Sequence, residues 1–266
     1  MLKTEMRLEK SKHIDKMDSL SIMKLMNEEN FNAVKAVESS LDKIAQVCDE
    51  VANCFEKGGR LFYVGAGTSG RLGVIDAAEC PPTFGVPRDL VIGIIAGGEK
   101  CMTQAAESQE DDANAGKQDL QKYNLNENDA VIGISASGGA NYVVGALEYA
   151  NSVGAISVSL SSNYDSPIEK ISKIAIVVDT GAEVITGSTR LKSGTAQKLV
   201  LNMISTGAMV KTGKVYENLM INLRPSNKKL KQRMINIVCD IKGCDAKIAE
   251  ELLENNDWNI KLAVQE

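Results

Sequence analysis

Three turns rich in hydroxyls and one carboxylate in a stiff frame carry the chemistry legible in this chain. The first turn is Gly65-Ala66-Gly67-Thr68-Ser69-Gly70-Arg71, which follows a short apolar run. It fits G-x-G-x-x-G between a strand and a helix, the pattern of a dinucleotide site. Such a site also needs an acidic residue ~20 positions after the glycines. Glu99, the nearest candidate, lies beyond another Gly-Gly turn and fits poorly. Gly67, Thr68 and Ser69 instead combine hydroxyls with free N–H groups at a helix start, which suits a phosphate or a polyhydroxy sugar. A second turn, Ser135-Ala136-Ser137-Gly138-Gly139, and a third stretch, Thr186 to Thr195 with Ser188, Thr189, Arg190 and Lys192, are of the same kind. Each turn alone also reads as an ordinary helix cap. Together, at the carboxyl ends of strands, they predict one phosphosugar pocket.

The carboxylate is Glu79, in Asp76-Ala77-Ala78-Glu79-Cys80-Pro81-Pro82. The tandem prolines are expected to end the helix begun after Gly70, holding Glu79 rigidly near the first turn. The chain has a single histidine, His13, in a charged stretch. A Ser-His-Asp triad, a Cys-His dyad or a His-rich metal site is therefore excluded from the core. Glu79 is the candidate general acid or base, with a helix-end surface glutamate as the alternative. The acidic run from Glu107 to Asp112, taken bare, reads as a solvated face.

Composition narrows the partners. The 266 residues carry 30 basic and 35 acidic side chains, net −5, with 4% aromatics. That gives neither the basic footprint nor the stacking platforms of a nucleic-acid binder. The six cysteines are scattered without a CxxC pair, so reduced thiols are expected rather than a disulfide framework or zinc site. The longest apolar stretch, near Leu90 to Gly98, is far below the ~20 residues of a membrane helix. The start of the chain lacks an apolar signal core. The reading is a cytoplasmic protein that needs no membrane.

The elements that position these residues follow from periodicity. Apolar runs at 60–64, 90–96, 130–135, 155–160 and 174–178 alternate with helical patterns, including 142–150 and 195–210. Near-continuous apolar strands between helices predict an α/β fold, a doubly wound parallel sheet. Upstream, a short helix is expected from Ser19. A long amphipathic helix over about 31–57 is predicted from Phe31, Val34, Val37, Leu41, Ile44, Val47, Val51 and Cys54. Residues 226–241 and 245–254 read as helices with no strand between. The expected organisation is an N-terminal helical segment over 1–50, a sugar-phosphate domain over 51–214 and a small, short-cut helical appendage over 215–266.

Beyond these patterns, VGAGTSGRLGVIDAAECPPTFG (64–85) resembles the signature of the N-acetylmuramic acid 6-phosphate etherases, built on the SIS (sugar isomerase) domain. GAEVITGSTRLKSGTAQKLVLNMIST (181–206) and IDKMDSLSIMKLMNEEN (14–30) are similar to further family segments. The likeness extends to the glucokinase regulatory proteins, non-catalytic relatives that sense sugar phosphates.

The resemblance implies a lyase of cell-wall amino-sugar recycling. It cleaves the D-lactyl ether of N-acetylmuramic acid 6-phosphate to N-acetylglucosamine 6-phosphate and D-lactate, by elimination and hydration. It implies no cofactor and no metal, a sugar-phosphate substrate and a homodimer. The family's proton donor to lactate falls on Glu79. Its second glutamate falls on Glu110, to which C2 proton abstraction is assigned. Gly67, Thr68, Ser69, Ser135, Ser137, Gly138, Ser188, Thr189 and Lys192 are the expected substrate contacts. After Ser137-Gly138 the family usually continues Arg-Thr-Pro. This chain has Gly139-Ala140-Asn141, one hydroxyl and one cation fewer. Two alternatives stand beside the lyase: a non-catalytic sensor of sugar phosphates and a phosphosugar isomerase.

Overall fold

The computed structural model describes residues 2–104 and 107–265. Five parallel strands, β1 (Leu61–Gly65), β2 (Val91–Ile95), β3 (Ala130–Ile134), β4 (Ile156–Ser161) and β5 (Ile174–Val177), lie in the order β2-β1-β3-β4-β5. The chain leaves β1 toward β2 on one side and returns to β3 on the other. The β1/β3 boundary is therefore the topological switch point, where the loops diverge and open a crevice.

Helices cover both faces, which explains why the strands are apolar throughout. They are α1 (Ser19–Glu38), α2 (Leu41–Glu56), α3 (Gly67–Phe84), α4 (Lys100–Thr103), α5 (Ala113–Gln121), α6 (Asn141–Ser152), α7 (Pro167–Ile171), α8 (Lys192–Lys211), α9 (Lys228–Lys242), α10 (Ala246–Asn255) and α11 (Ile260–Ala263). Leu61 and Tyr63 of β1 face the core shared with α2, α3 and α8, while Phe62 and Val64 face the one under α6. A third core, around Met234, Val238 and Leu253, belongs to the last three helices. The doubly wound α/β reading holds.

Two local expectations are corrected. The amphipathic pattern over 31–57 is broken at Ser39–Ser40 into α1 and α2. The Ser40 hydroxyl donates to the carbonyl of Val177 at 2.7 Å, tying the break to the edge strand β5. Val37, Ile44, Val47 and Val51 are buried, whereas Phe31 and Val34 stay exposed at 60% and 55%. The second correction concerns the tandem prolines. Pro81 and Pro82 lie inside α3, and the helix ends only at Gly85, in the left-handed region at φ 66°. Each proline lacks an N–H, but the helix loses only those two bonds near its last turn and continues.

The N-terminal stretch, irregular by sequence, is anchored. Thr4 is fully buried. The Lys3 amide donates to Asn163 Oδ1 at 2.8 Å, and Asn163 Nδ2 donates to Thr4 Oγ1 and to the Ala136 carbonyl. The arm is thereby fastened beside the second hydroxyl turn.

Candidate functional site

The register Gly65↔Ile134 brings the ends of β1 and β3 side by side, so the first two hydroxyl turns flank the switch point. After Gly65 the chain enters α3 almost at once. Gly70 must be glycine, because a Cβ there would stand 2.5 Å from the Gly65 carbonyl oxygen. Ala66 is the N-cap of α3 and offers no capping side chain. The first N–H groups of a helix have no acceptor within it. The N-terminus of α3, with Gly67, Thr68 and Ser69, thus presents unused donors and the positive end of the helix dipole to the crevice.

The facing turn is braced from within. Ser135 Oγ accepts from the Gly138 amide at 3.1 Å, and Ser137 Oγ accepts from the Gly139 amide at 3.2 Å. Gly138 sits at φ 74° with a notional Cβ 2.3 Å from Ser166 Cβ. Gly138→Ala is expected to lower Tm by roughly 4 °C or more through strain and overlap. An unchanged calorimetric Tm would show that the turn tolerates rearrangement. Ala140 caps α6 without a side-chain hydrogen bond, and a Cβ on Gly139 would meet Ser137 Oγ at 3.8 Å, an ordinary contact.

Not every expected contact converges here. The N-terminus of α8 is already filled by a carboxylate of the chain. The fully buried Glu183 accepts from the Lys192 and Ser193 amides, each at 3.0 Å. Ser188 and Thr189 lie half-buried in the loop before it. The Lys192 ammonium does not reach the β1/β3 turns, because it is 2.6 Å from Glu29 Oε2, both side chains being under 5% exposed. The cations beside Thr68 are instead Arg190 and Lys198, which line a cavity of about 290 Å³ with Thr68, Gly194 and Thr195.

The two glutamates occupy different places. Glu110 is exposed in the turn Glu107–Asp111, beyond the carboxyl end of β2 and packed on α6, at the sheet edge that holds the hydroxyl turns. Glu79 is exposed on α3, twelve residues past Gly67. At 1.5 Å rise per residue that is about 18 Å along the axis. The expected closeness of Glu79 to its own first turn is therefore corrected, because more than three unbroken helical turns separate it from Gly67. Glu79 shares an exposed face with Ile75, Ala78 and Pro82. Burial, and then Asp76, push the thiol of its buried neighbour Cys80 up to about 12.

Sequence reading missed Gln197, which accepts a 3.0 Å hydrogen bond from the Ser69 hydroxyl. The signal was present: an amide at helical spacing between Gly194 and Leu201, on the buried face of α8.

Comparison with known proteins gives the family and the fold. The glucokinase regulatory protein N-terminal SIS domain family matches residues 43–151, the SIS domain family 111–206 and a UBA-like domain 230–266. The N-acetylmuramic acid 6-phosphate etherase of Clostridium beijerinckii is 51% identical over 99% of this chain and 86% of its own length. The chain belongs to the N-acetylmuramic acid 6-phosphate etherase family. The etherase of Actinobacillus pleuropneumoniae is likewise 51% identical, over 98% of this chain and 86% of its own. A phosphoheptose isomerase from Francisella tularensis shares the fold, with a TM-score of 0.57 at 17% identity, covering 72% of this chain and 98% of that one. Among the described residues, no group of side chains is arranged to hold a metal ion and no helix is long and apolar enough to cross a membrane.

Proposed function

We propose that this chain cleaves the D-lactyl ether of N-acetylmuramic acid 6-phosphate, giving N-acetylglucosamine 6-phosphate and D-lactate in amino-sugar recycling. The observation that carries the reading is 51% identity across 99% of the chain to an etherase of that name. The switch-point crevice supports it. A phosphate on the α3 N-terminus and the Ser135–Gly138 turn is a remote handle whose binding energy orients the sugar.

The chemistry suits carboxylates. In the open-chain sugar the C2 proton is acidified by the C1 aldehyde. Glu110 takes that proton, and the electron pair forms the C2–C3 double bond as the C3–O bond breaks. Glu79 gives its proton to the departing lactate oxygen, since an alkoxide leaves poorly without an acid. Water then adds its oxygen to C3 and a proton returns to C2.

In one chain Glu79 lies about 18 Å along α3 from the phosphate turn, by the helical rise. The active unit is therefore a homodimer in which one protomer's Glu79 serves the turns and Glu110 of its partner. The exposed face of Ile75, Ala78, Glu79 and Pro82 supports that arrangement. Ser188 and Thr189 contribute to the pocket wall. Lys192 acts indirectly, by holding the loop. We place the site in the central part of the division proposed from sequence, 1–50, 51–214 and 215–266. A phosphorylated sugar as substrate supports a cytoplasmic location for the reaction.

The decisive assay is incubation with N-acetylmuramic acid 6-phosphate and measurement of D-lactate. Folded protein that releases none sinks the proposal. A second reading, a non-catalytic sensor, is favoured by the uncapped Ala140 and the regulatory-protein match over 43–151. It predicts thermal stabilisation by the sugar phosphate without lactate release.

A further inference from the structure

Gln197 is 2% exposed, and its Nε2 has no hydrogen-bond partner among the described residues, while its Oε1 accepts from the Ser69 hydroxyl at 3.0 Å. An orphaned buried N–H is rarer and costlier than an under-satisfied carbonyl. In this arrangement the Ser69 proton also points at Gln197, away from the N-terminus of α3. The serine then has only lone pairs to offer an anion.

We propose that Gln197 is a positioning residue that sets the direction of the Ser69 O–H proton for phosphate recognition. This rests on the reading that the α3 turn holds the phosphate. Rotating the terminal amide by half a turn exchanges Oε1 and Nε2 with almost no change in shape. Nε2 then donates to Ser69 Oγ, and Ser69 donates to a phosphate oxygen. The orphaned donor is satisfied, and the chain Gln197 to Ser69 to phosphate runs donor to acceptor throughout. An anion beside Ser69 favours this orientation, because it accepts the serine proton. Gln197 is held for the task by the packing of α8 on α3, with Val200 and Leu201 fully buried beside it.

The test is competitive inhibition of lactate release by inorganic phosphate, read with KM and kcat on the full chain. Ser69→Ala is expected to weaken phosphate inhibition about tenfold or more, as loss of a hydrogen bond to a charged group does. Gln197→Met weakens it about 3- to 10-fold and raises KM in parallel, with kcat within about twofold, because only binding loses a neutral hydrogen bond. The double variant is no weaker than Ser69→Ala alone, since Gln197 acts only through that hydroxyl. Gln197→Glu, an acceptor when ionised, keeps the Ser69 proton and weakens inhibition more than methionine does. Independent, multiplicative effects of Ser69→Ala and Gln197→Met overturn the proposal. So does wild-type phosphate inhibition in either Gln197 variant. If Ser69→Ala leaves inhibition unchanged, the phosphate reading of the turn fails first and this inference with it.

Discussion

Glu79→Gln and Glu110→Gln are each expected to lower lactate release by about 10²–10⁴-fold, the usual contribution of a positioned acid or base. Mixed after dissociation and reassembly, the two inactive variants are expected to recover activity. Glutamine keeps the shape of each side chain and removes only its titrating proton, so folding and phosphate binding persist. If one protomer's Glu79 completes its partner's site, a mixed dimer has one site with both carboxylates and one with neither. Half of randomly reassembled dimers are mixed, and each runs one of two sites, so roughly a quarter of wild-type activity returns by the symmetry of a two-fold dimer. If both glutamates act within one chain, no mixture recovers anything. The two outcomes differ by orders of magnitude, and a lactate assay reads them directly. Wild-type turnover in Glu79→Gln alone would remove that residue from the mechanism.

The second large effect concerns stability. Glu29 and Lys192 form a buried pair at 2.6 Å, with Asn32 Nδ2 also donating to Glu29 Oε2 at 3.1 Å. Burial by itself raises the Glu29 carboxyl, but the Lys192 hydrogen bond, Asn32 and the Lys192 charge outweigh it and hold the group below its ordinary value. Removing one partner leaves a buried, uncompensated charge. Glu29→Leu is therefore expected to cost about 3–5 kcal/mol. That corresponds to a Tm lower by roughly 6–15 °C in a chain of this size. Replacing both partners by apolar residues, as Glu29→Leu with Lys192→Met, recovers most of the loss. The pH dependence follows from the lowered carboxyl. Its stabilisation is complete above the unfolded carboxylate range, near pH ~4.3, and disappears as pH falls through the lower folded value. The wild type loses this contribution on acidification, and the double variant has none to lose. A single Glu29→Leu variant melting at the wild-type temperature refutes the argument.

The pair also bears on function. It fastens α1 to the first residue of α8, whose N-terminus Glu183 closes and whose next turn carries Gln197. A chain loosened there is expected to lose order in the wall beside Thr68 before the central sheet melts.

Much of this was legible in the residues because it depends on near neighbours. Five apolar runs became five parallel strands within a residue or two at each end. Glycine and serine at their carboxyl ends became turns, since backbone sterics and strand periodicity act locally. Glu79 stood out by its place before two prolines in a chain whose single histidine lies elsewhere, and Glu110 only through a family likeness that spans nearly the whole chain. Burial and pairing, by contrast, are settled at a distance. Lys192 reads as a phosphate ligand until its partner is seen to lie 163 residues earlier. The proline pair reads as a helix stop until α3 is seen to run on to Phe84, and Glu79 reads as near the first turn until more than three helical turns are seen between it and Gly67. Gln197 reads as one polar residue among many until packing of α8 on α3 shuts its amide away from water beside Ser69. In each case the side chain's role depends on which groups surround it once water is excluded, and only the assembled chain selects those groups.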